Sequence, residues 1–249
     1  MPKLNLGLLG ENISKSPSPI LHNLIYNYFN IDAEYKLYEL KTKDFHEKVN
    51  YLLENNYGLN VTMPYKELII KYIKELSYDA KKIGAINTIK DGVGYNTDYL
   101  AFKNILSQYD VRSCLIIGAG GSARAASFAL SELNPNLILI YNRSIERAQK
   151  LIDDLKKINS NVKFIKNLNG VDVDVLINTV PVEIEFNVKP KTLYIDLVYT
   201  RKAKKISKNI TDGIDFLIEQ GLLSDAIWFN IKVDEEVIKY VREFIRKSF

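Results

Sequence analysis

The segment SCLIIGAGGSARAASFAL, residues 113–130, restricts the possible folds more than any other stretch of this chain. An apolar run from Cys114 to Ile117 meets a turn of three glycines and one alanine, and an alanine-rich apolar pattern follows at once. A buried strand, a tight turn and a helix satisfy that order. In this context the backbone amides of the turn can meet a pyrophosphate at the helix amino terminus. Gly118, Ala119, Gly120, Gly121 and Ser122 are therefore the candidate cofactor contacts. The third glycine falls at Gly121, so the spelling is GxGG rather than GxGxxG, with Ala123 and Ala126 as small residues for close helix–strand packing. A glycine turn that holds no ligand is the alternative. The next strand pattern ends in YNRS, where NAD-binding units commonly set an acid against the ribose diol. Asn142, Arg143 and Ser144 stand there instead, and a guanidinium offers a charge-assisted fork to a 2′-phosphate, which favours NADP(H) over NAD. Arg147, one helical turn on, either adds charge to that site or is an ordinary exposed helix arginine.

The rest of the chain extends an α/β layout in both directions. From Leu4 to about Ile89, short strand patterns (LNLGLL, AEYKLYEL, GLNVT, AINTI) alternate with helical ones beginning at Ser18, at Asp44 and after Lys66. A helical segment runs from Asp98 to about Ser107, and LILIYN, VKFI, DVLINT and TLYIDLVY supply buried strands beyond the glycine turn, suited to a parallel sheet with crossover helices. In the tail, Val237, Tyr240, Val241, Phe244 and Ile245 fall on one stripe, with acids at the start and bases toward the end, so a capped helix docks there on a core.

Composition excludes several classes of function. The 34 basic and 30 acidic residues are spread along the chain, giving a formal charge of +4 without the footprint of a nucleic-acid binder. The densest basic run, RKAKK at Arg201–Lys205, reads as a solvated turn. Cys114 is the only cysteine and His22 and His46 the only histidines, so neither an internal disulfide nor a metal site is expected. Cys114 itself reads as a small core residue. MPKLNLGLLG carries no basic leader and no apolar run approaches membrane length, so a cytoplasmic protein with no membrane partner is expected.

GLNVTMPYK, Gly58–Lys66, carries a second kind of chemistry. Leu59 and Val61 alternate with Asn60 and Thr62 as in a strand, and Pro64 stops the pairing so that Lys66 opens a helix. An amide, a hydroxyl and an amine at such a turn can grip and deprotonate a polyol. KSPSPILHN at Lys15–Asn23, IGAINT at Ile83–Thr88 and GYNTD at Gly94–Asp98 accompany it.

Together with the glycine turn, these four segments closely resemble the shikimate dehydrogenase family, whose members show HSxSPxxHN, NVTxPxK, GAVNT, GxNTD and GAGGxxRA in this order. The resemblance continues through INTVP, DLVY and GIDFLIEQG. It implies a substrate-binding and catalytic domain at 1–98 and 219–249, to which the C-terminal helix returns, and a Rossmann-like, doubly wound NADP-binding domain at 99–218. It also implies reversible NADPH-dependent reduction of 3-dehydroshikimate to shikimate in aromatic amino-acid biosynthesis. Quinate as substrate with relaxed cofactor use, or a non-catalytic NADP-sensing homologue, are the alternatives.

By the same resemblance, Lys66 is the general acid and base, oriented by Asp98. Ser16 and Ser18 bind the substrate carboxylate, and Thr62, Asn87 and Gln220 its ring hydroxyls. Val198 and Gly213 reach the nicotinamide edge and Tyr199 the substrate rim. Read as bare residues, Ser16 could instead cap a helix, Asn87 tie a turn and Gln220 face solvent. The chain departs from the family at Asn12 (usually proline), Lys15 (histidine), Tyr99 (often glycine) and Glu183 (glycine), and RKAKK replaces a PxxTPLL segment. The implied partner is a small-molecule substrate, with no nucleic acid, and the implied assembly is a monomer or homodimer.

Overall fold

The computed structural model describes residues 3–181 and 187–248. The chain divides into two compact units, Met1–Thr97 with Ile218–Phe249, and Asp98–Leu217.

The first unit is built from β1 (Leu4–Gly10), α1 (Ser18–Tyr28), β2 (Ala33–Glu39), α2 (Phe45–Asn55), β3 (Gly58–Val61), β4 (Glu75–Leu76), α3 (Tyr78–Ile83), β5 (Thr88–Lys90) and β6 (Val93–Tyr95). Its six-stranded sheet has the order β2-β1-β3-β5-β6-β4. β1 runs parallel to β2 and β3, while β5 is antiparallel to both β3 and β6. α2 buries Phe45, Val49 and Leu52, one face of a 3.6-residue period, against Leu59, Val61, Tyr65 and Ile69. Ser77 caps α3 by accepting from Ala80 N at 3.3 Å, and Gly84 ends it in the left-handed conformation at φ 71°.

The second unit begins in α4 (Thr97–Leu106) and contains β7 (Ser113–Ile117), α5 (Gly121–Glu132), β8 (Leu137–Tyr141), α6 (Ile145–Leu155), β9 (Val162–Phe164), β10 (Val175–Asn178), β11 (Leu193–Asp196) and β12 (Asn209–Thr211). Its sheet, β12-β11-β10-β7-β8-β9, is parallel throughout. Cys114 through Ile117 and Val175 through Ile177 are fully buried, as central strands of a parallel sheet must be when helices cover both faces. Burial pushes the Cys114 thiol pKa well up, in keeping with a core side chain. On α6, Ala148, Leu151, Ile152 and Leu155 face inward at helical spacing.

α7 (Gly213–Phe229) starts in the second unit and continues into the first, where α8 (Glu235–Ser248) packs on α1. The Trp228 indole fixes α7 on the first sheet. It donates to Ile89 O at 2.9 Å and occupies space that any side chain at position 58 would need, so Gly58 is required there.

Several local expectations change. The carbonyl of Lys66 accepts from Ile86 N at 2.9 Å and is lost to helix formation, so Lys66 sits in a turn followed only by a 3-10 helix at Leu68–Tyr72. For the same reason AINTI is not a strand from its start: the chain leaves α3 through Gly84 and pairs only from Thr88. In α8, Val237, Val241 and Ile245 are buried, but Tyr240 and Phe244 are exposed at the edge of a narrower stripe, Tyr240 lying 5.1 Å from the Tyr28 ring. The two- and three-residue strands β4, β6 and β12 are too short to leave a periodic signal. No described helix is long and apolar enough to cross a membrane.

Candidate active site

In the first unit, two hydroxyls stand at the amino end of α1. Ser16 Oγ donates to Ser18 Oγ at 3.0 Å and accepts from Ser18 N at 3.3 Å, so Ser16 also does part of the work of a cap. Pro17 occupies the N-cap position and offers no side-chain bond. A helix start with two hydroxyl groups suits a carboxylate, which the helix dipole and hydroxyl donors both favour. Asn12, which departs from the family's proline, takes φ 58°, a value closed to proline. Lys15 is exposed beside this segment.

The amides of Asn87 and Gln220, 133 residues apart in sequence, meet at 3.2 Å. Asn87 Oδ1 also accepts from Thr97 N at 2.7 Å, so it does tie the start of α4, and Gln220 is half-buried rather than solvated. Beneath this pair lies a web that the sequence did not disclose. Asn60 Nδ2 lies 3.0 Å from Ser224 Oγ, 3.1 Å from Thr88 Oγ1 and 3.0 Å from Asn87 O, while Asn60 Oδ1 accepts from the Tyr35 hydroxyl at 2.7 Å. Ser224 Oγ is also within 2.9 Å of Thr88 Oγ1 and 3.1 Å of Thr97 Oγ1. All of these side chains are buried, and mutual satisfaction is what lets them stay so. Asn60 is therefore a support under the site, not the gripping amide that its place in GLNVTMPYK implies. One signal was available in the sequence: Ser224 lies one helical turn beyond Gln220 on the same helix.

Thr62 follows β3 directly, its backbone N bonded to Leu9 O at 2.9 Å and its methyl filling space left by Gly10. Lys66 is half-buried. One turn along from the serine and glutamine positions, the buried His22 on α1 pairs with the buried Asp225 on α7, Nδ1 to Oδ1 at 2.8 Å. Burial raises the Asp225 pKa above the usual carboxylate range, and His22 offsets this only in part.

In the second unit the glycine turn has two distinct parts. Gly118 takes φ 121°, and any Cβ there would collide with Thr179 Oγ1, so the position is closed to other residues by the protein itself. Gly120, the N-cap of α5, faces open space among the described residues: a Cβ there would meet none of their atoms within 4 Å. As a glycine it brings no capping side chain to this helix end. Open approach to a helix start is what a pyrophosphate needs, so the turn fits a dinucleotide. Ala119 is buried between the two. Ser122, in the first helical turn, donates to Asp98 Oδ2 at 3.0 Å, and Asp98 is buried.

At the end of β8, Asn142 Nδ2 donates to Ser144 O at 2.7 Å. Ser144 caps α6, accepting from Arg147 N at 3.3 Å and donating to Glu146 at 2.8 Å, so its hydroxyl is already engaged. Arg143 and Arg147 are exposed, and neither has an ion-pair partner among the described residues. Two available guanidinium groups at the strand end suit the adenosine 2′-phosphate of NADP. Val198 is buried, Tyr199 is half-exposed, and the buried Gly213 lies against the peptide that joins them. Tyr99 is buried and its hydroxyl donates to Glu132 at 2.5 Å. Glu183 lies outside the described residues.

Comparisons with known proteins identify the family. The family model described as shikimate dehydrogenase substrate binding domain matches residues 8–89, and the one described as shikimate / quinate 5-dehydrogenase matches residues 100–183. The chain is 39% identical to a shikimate dehydrogenase of Sulfurisphaera tokodaii, covering 95% of this chain and 94% of that protein. It is also 39% identical to a shikimate dehydrogenase (NADP(+)) of Saccharolobus islandicus, with 94% and 93% covered. Among solved structures, it resembles a shikimate dehydrogenase in complex with NADP+, with a TM-score of 0.81 and 30% identity over 99% of this chain and 96% of the other.

Proposed function

The chain belongs to the shikimate dehydrogenase family, and from that premise we propose that it catalyses the reversible, NADPH-dependent reduction of 3-dehydroshikimate to shikimate in aromatic amino-acid biosynthesis. The observation that most directly supports this function is the Asn87–Gln220 amide pair set over a satisfied polar web. Amide side chains both donate and accept, which suits a ring bearing neighbouring hydroxyls, and a rigid support keeps their orientation fixed.

Each residue then has a task. Ser16 and Ser18 hold the carboxylate, and Thr62, Asn87 and Gln220 hold the ring hydroxyls. Lys66 gives its proton to the carbonyl oxygen in reduction and takes it back in oxidation, with Asp98 orienting the amine. A charged amine near that oxygen also stabilises the negative charge that develops there. NADPH, when bound, supplies the hydride. The turn at Gly118, Ala119, Gly120, Gly121 and Ser122 receives its pyrophosphate, Arg143 and Arg147 its 2′-phosphate with Asn142 and Ser144 shaping the pocket, and Val198 and Gly213 the nicotinamide edge. Tyr199 lines the substrate rim. Residues 1–98 with 219–249 form the substrate-binding and catalytic domain and 99–218 the NADP-binding domain, in a cytoplasmic monomer or homodimer.

Initial rates test this reading. 3-Dehydroshikimate should be reduced faster with NADPH than with NADH, and shikimate oxidised faster than quinate. Preferred turnover of quinate with NAD would replace both the substrate and the cofactor. NADPH binding without turnover of either acid would leave a sensor in place of an enzyme.

A further inference from the structure

Asp196, at the end of β11, is fully buried, and four donors converge on its carboxylate. Oδ1 accepts from Asn178 Nδ2 at 2.9 Å and Val198 N at 3.3 Å. Oδ2 accepts from the Tyr194 hydroxyl at 2.9 Å and from the Arg201 guanidinium at 2.8 Å. A charge this deep is retained only with a paired, hydrogen-bonded cation, and Arg201 takes that part. Its neighbours in the RKAKK run behave differently, since Lys202 and Lys205 are exposed while Arg201 turns inward. The run is thus not the uniformly solvated turn that its composition implies.

The ion pair closes a short loop, leaving at Asp196 and returning at Arg201, so residues 197–200 are held at both ends. Their other side is equally confined. A Cβ at Gly213 would stand 2.5 Å from Tyr199 N, 2.6 Å from Val198 C and 2.8 Å from Val198 O, so the Val198–Tyr199 peptide lies directly on the first residue of α7. Backbone packed that closely has little room to move.

We propose that Arg201 is a positioning residue for the reaction: its bond to Asp196 fixes the 197–200 loop and thereby the place of Val198 and Tyr199 beside the start of α7. This rests on the function given above. Arg201 touches neither substrate nor cofactor in this role and acts through the loop.

Removing Arg201 alone also strands a buried charge, so the deciding variant is the pair Asp196→Asn with Arg201→Met, which removes charge and clamp together. Arg201→Met alone, Arg201→Lys and the neighbouring control Lys205→Met complete the set. The first readout uses protein without ligand: the rate of tryptic cleavage after Lys202 and Lys204, which follows the population of opened loop. Cleavage should rise about tenfold or more in both proteins that carry Arg201→Met, less in Arg201→Lys, and not at all in Lys205→Met. The second readout is kinetic. KM for NADPH should rise roughly tenfold in the double variant, with a smaller change in kcat and a melting temperature recovered relative to Arg201→Met. A double variant with recovered melting temperature and wild-type cleavage or wild-type KM would reduce Arg201 to a neutraliser of buried charge and overturn the proposal. Absence of turnover in the wild type would instead refute the function, while the cleavage rates would still judge the clamp.

Discussion

Ser122 donates its hydroxyl to Asp98 at 3.0 Å, which ties the first turn of the nucleotide helix to the carboxylate proposed to orient Lys66. Both residues of this hydrogen bond, Ser122 and Asp98, lie in the second unit. A bond to a charged acceptor contributes about 1.5–3 kcal/mol, and part of that is recovered by rearrangement. Ser122→Ala should lower kcat roughly three- to tenfold, and Ser122→Thr should restore most of it in the same steady-state assay.

Lys66→Ala should lower kcat by about 10² to 10⁴, the range for losing a general acid-base group, with a smaller effect on KM for 3-dehydroshikimate. Turnover unchanged by the substitution would remove Lys66 from the mechanism.

The two glycines of the turn should separate folding from binding. Gly118→Ala forces a side chain into a left-handed backbone against Thr179 and should cost about 1–3 kcal/mol in urea unfolding. Gly120→Ala meets no atom of the described residues and should leave unfolding within about 0.5 kcal/mol of wild type. Its methyl group should nevertheless weaken NADPH binding roughly tenfold or more, measured by nicotinamide fluorescence, because the backbone must approach the pyrophosphate closely.

Arg143→Ala should raise KM for NADPH about 10- to 100-fold and leave NADH kinetics nearly unchanged, since only the 2′-phosphate loses its charge-assisted bond. Equal losses with both cofactors would relocate the phosphate contact.

Asp225 gives a stability prediction whose sign follows from burial. Its carboxyl pKa is raised in the folded protein, so the folded state holds its proton to higher pH than the unfolded chain does. That contribution is complete below the ordinary value of 3.8 and is lost as pH rises through the raised folded value. Thermal melts from about pH 4 toward neutrality should show the wild type losing stability relative to Asp225→Asn. A difference that grows in the other direction would mean that the His22 ion pair outweighs desolvation.

Much of the fold was legible because it depends on local order. β7, the glycine turn and α5 were readable since an apolar run, a backbone position needing positive φ and an alanine-rich helix are each written in consecutive residues. β4, β6 and β12 were not, because their residues, EL, VGY and NIT, hold no apolar run such as the one that marks VKFI at β9, and they form only where a neighbouring strand offers hydrogen bonds. Lys66 shows the same limit at the site. Its helix fails because Ile86, about twenty residues on, takes the carbonyl that the helix would use.

The candidate site divides along the same line. Thr62, Lys66, Gly120 and Arg143 could be singled out as candidates by residue type and spacing, because the chemistry asked of them is carried by their own side chains or, at Gly120, by the lack of one, whereas Ser16, Ser18 and Asn87 became candidates only through the family resemblance. Asn60, Ser224 and Arg201 could not be assigned that way, since an amide, a hydroxyl or a guanidinium says nothing by itself about whether it will face solvent or satisfy a buried partner. The sequence alone determined most of the succession of elements, the family and the candidate reactive groups. Tertiary structure decided which of those groups meet, as Asn87 meets Gln220 and Asp196 meets Arg201. It decided them because a buried polar atom must find its partner among residues that only folding brings within about 3 Å.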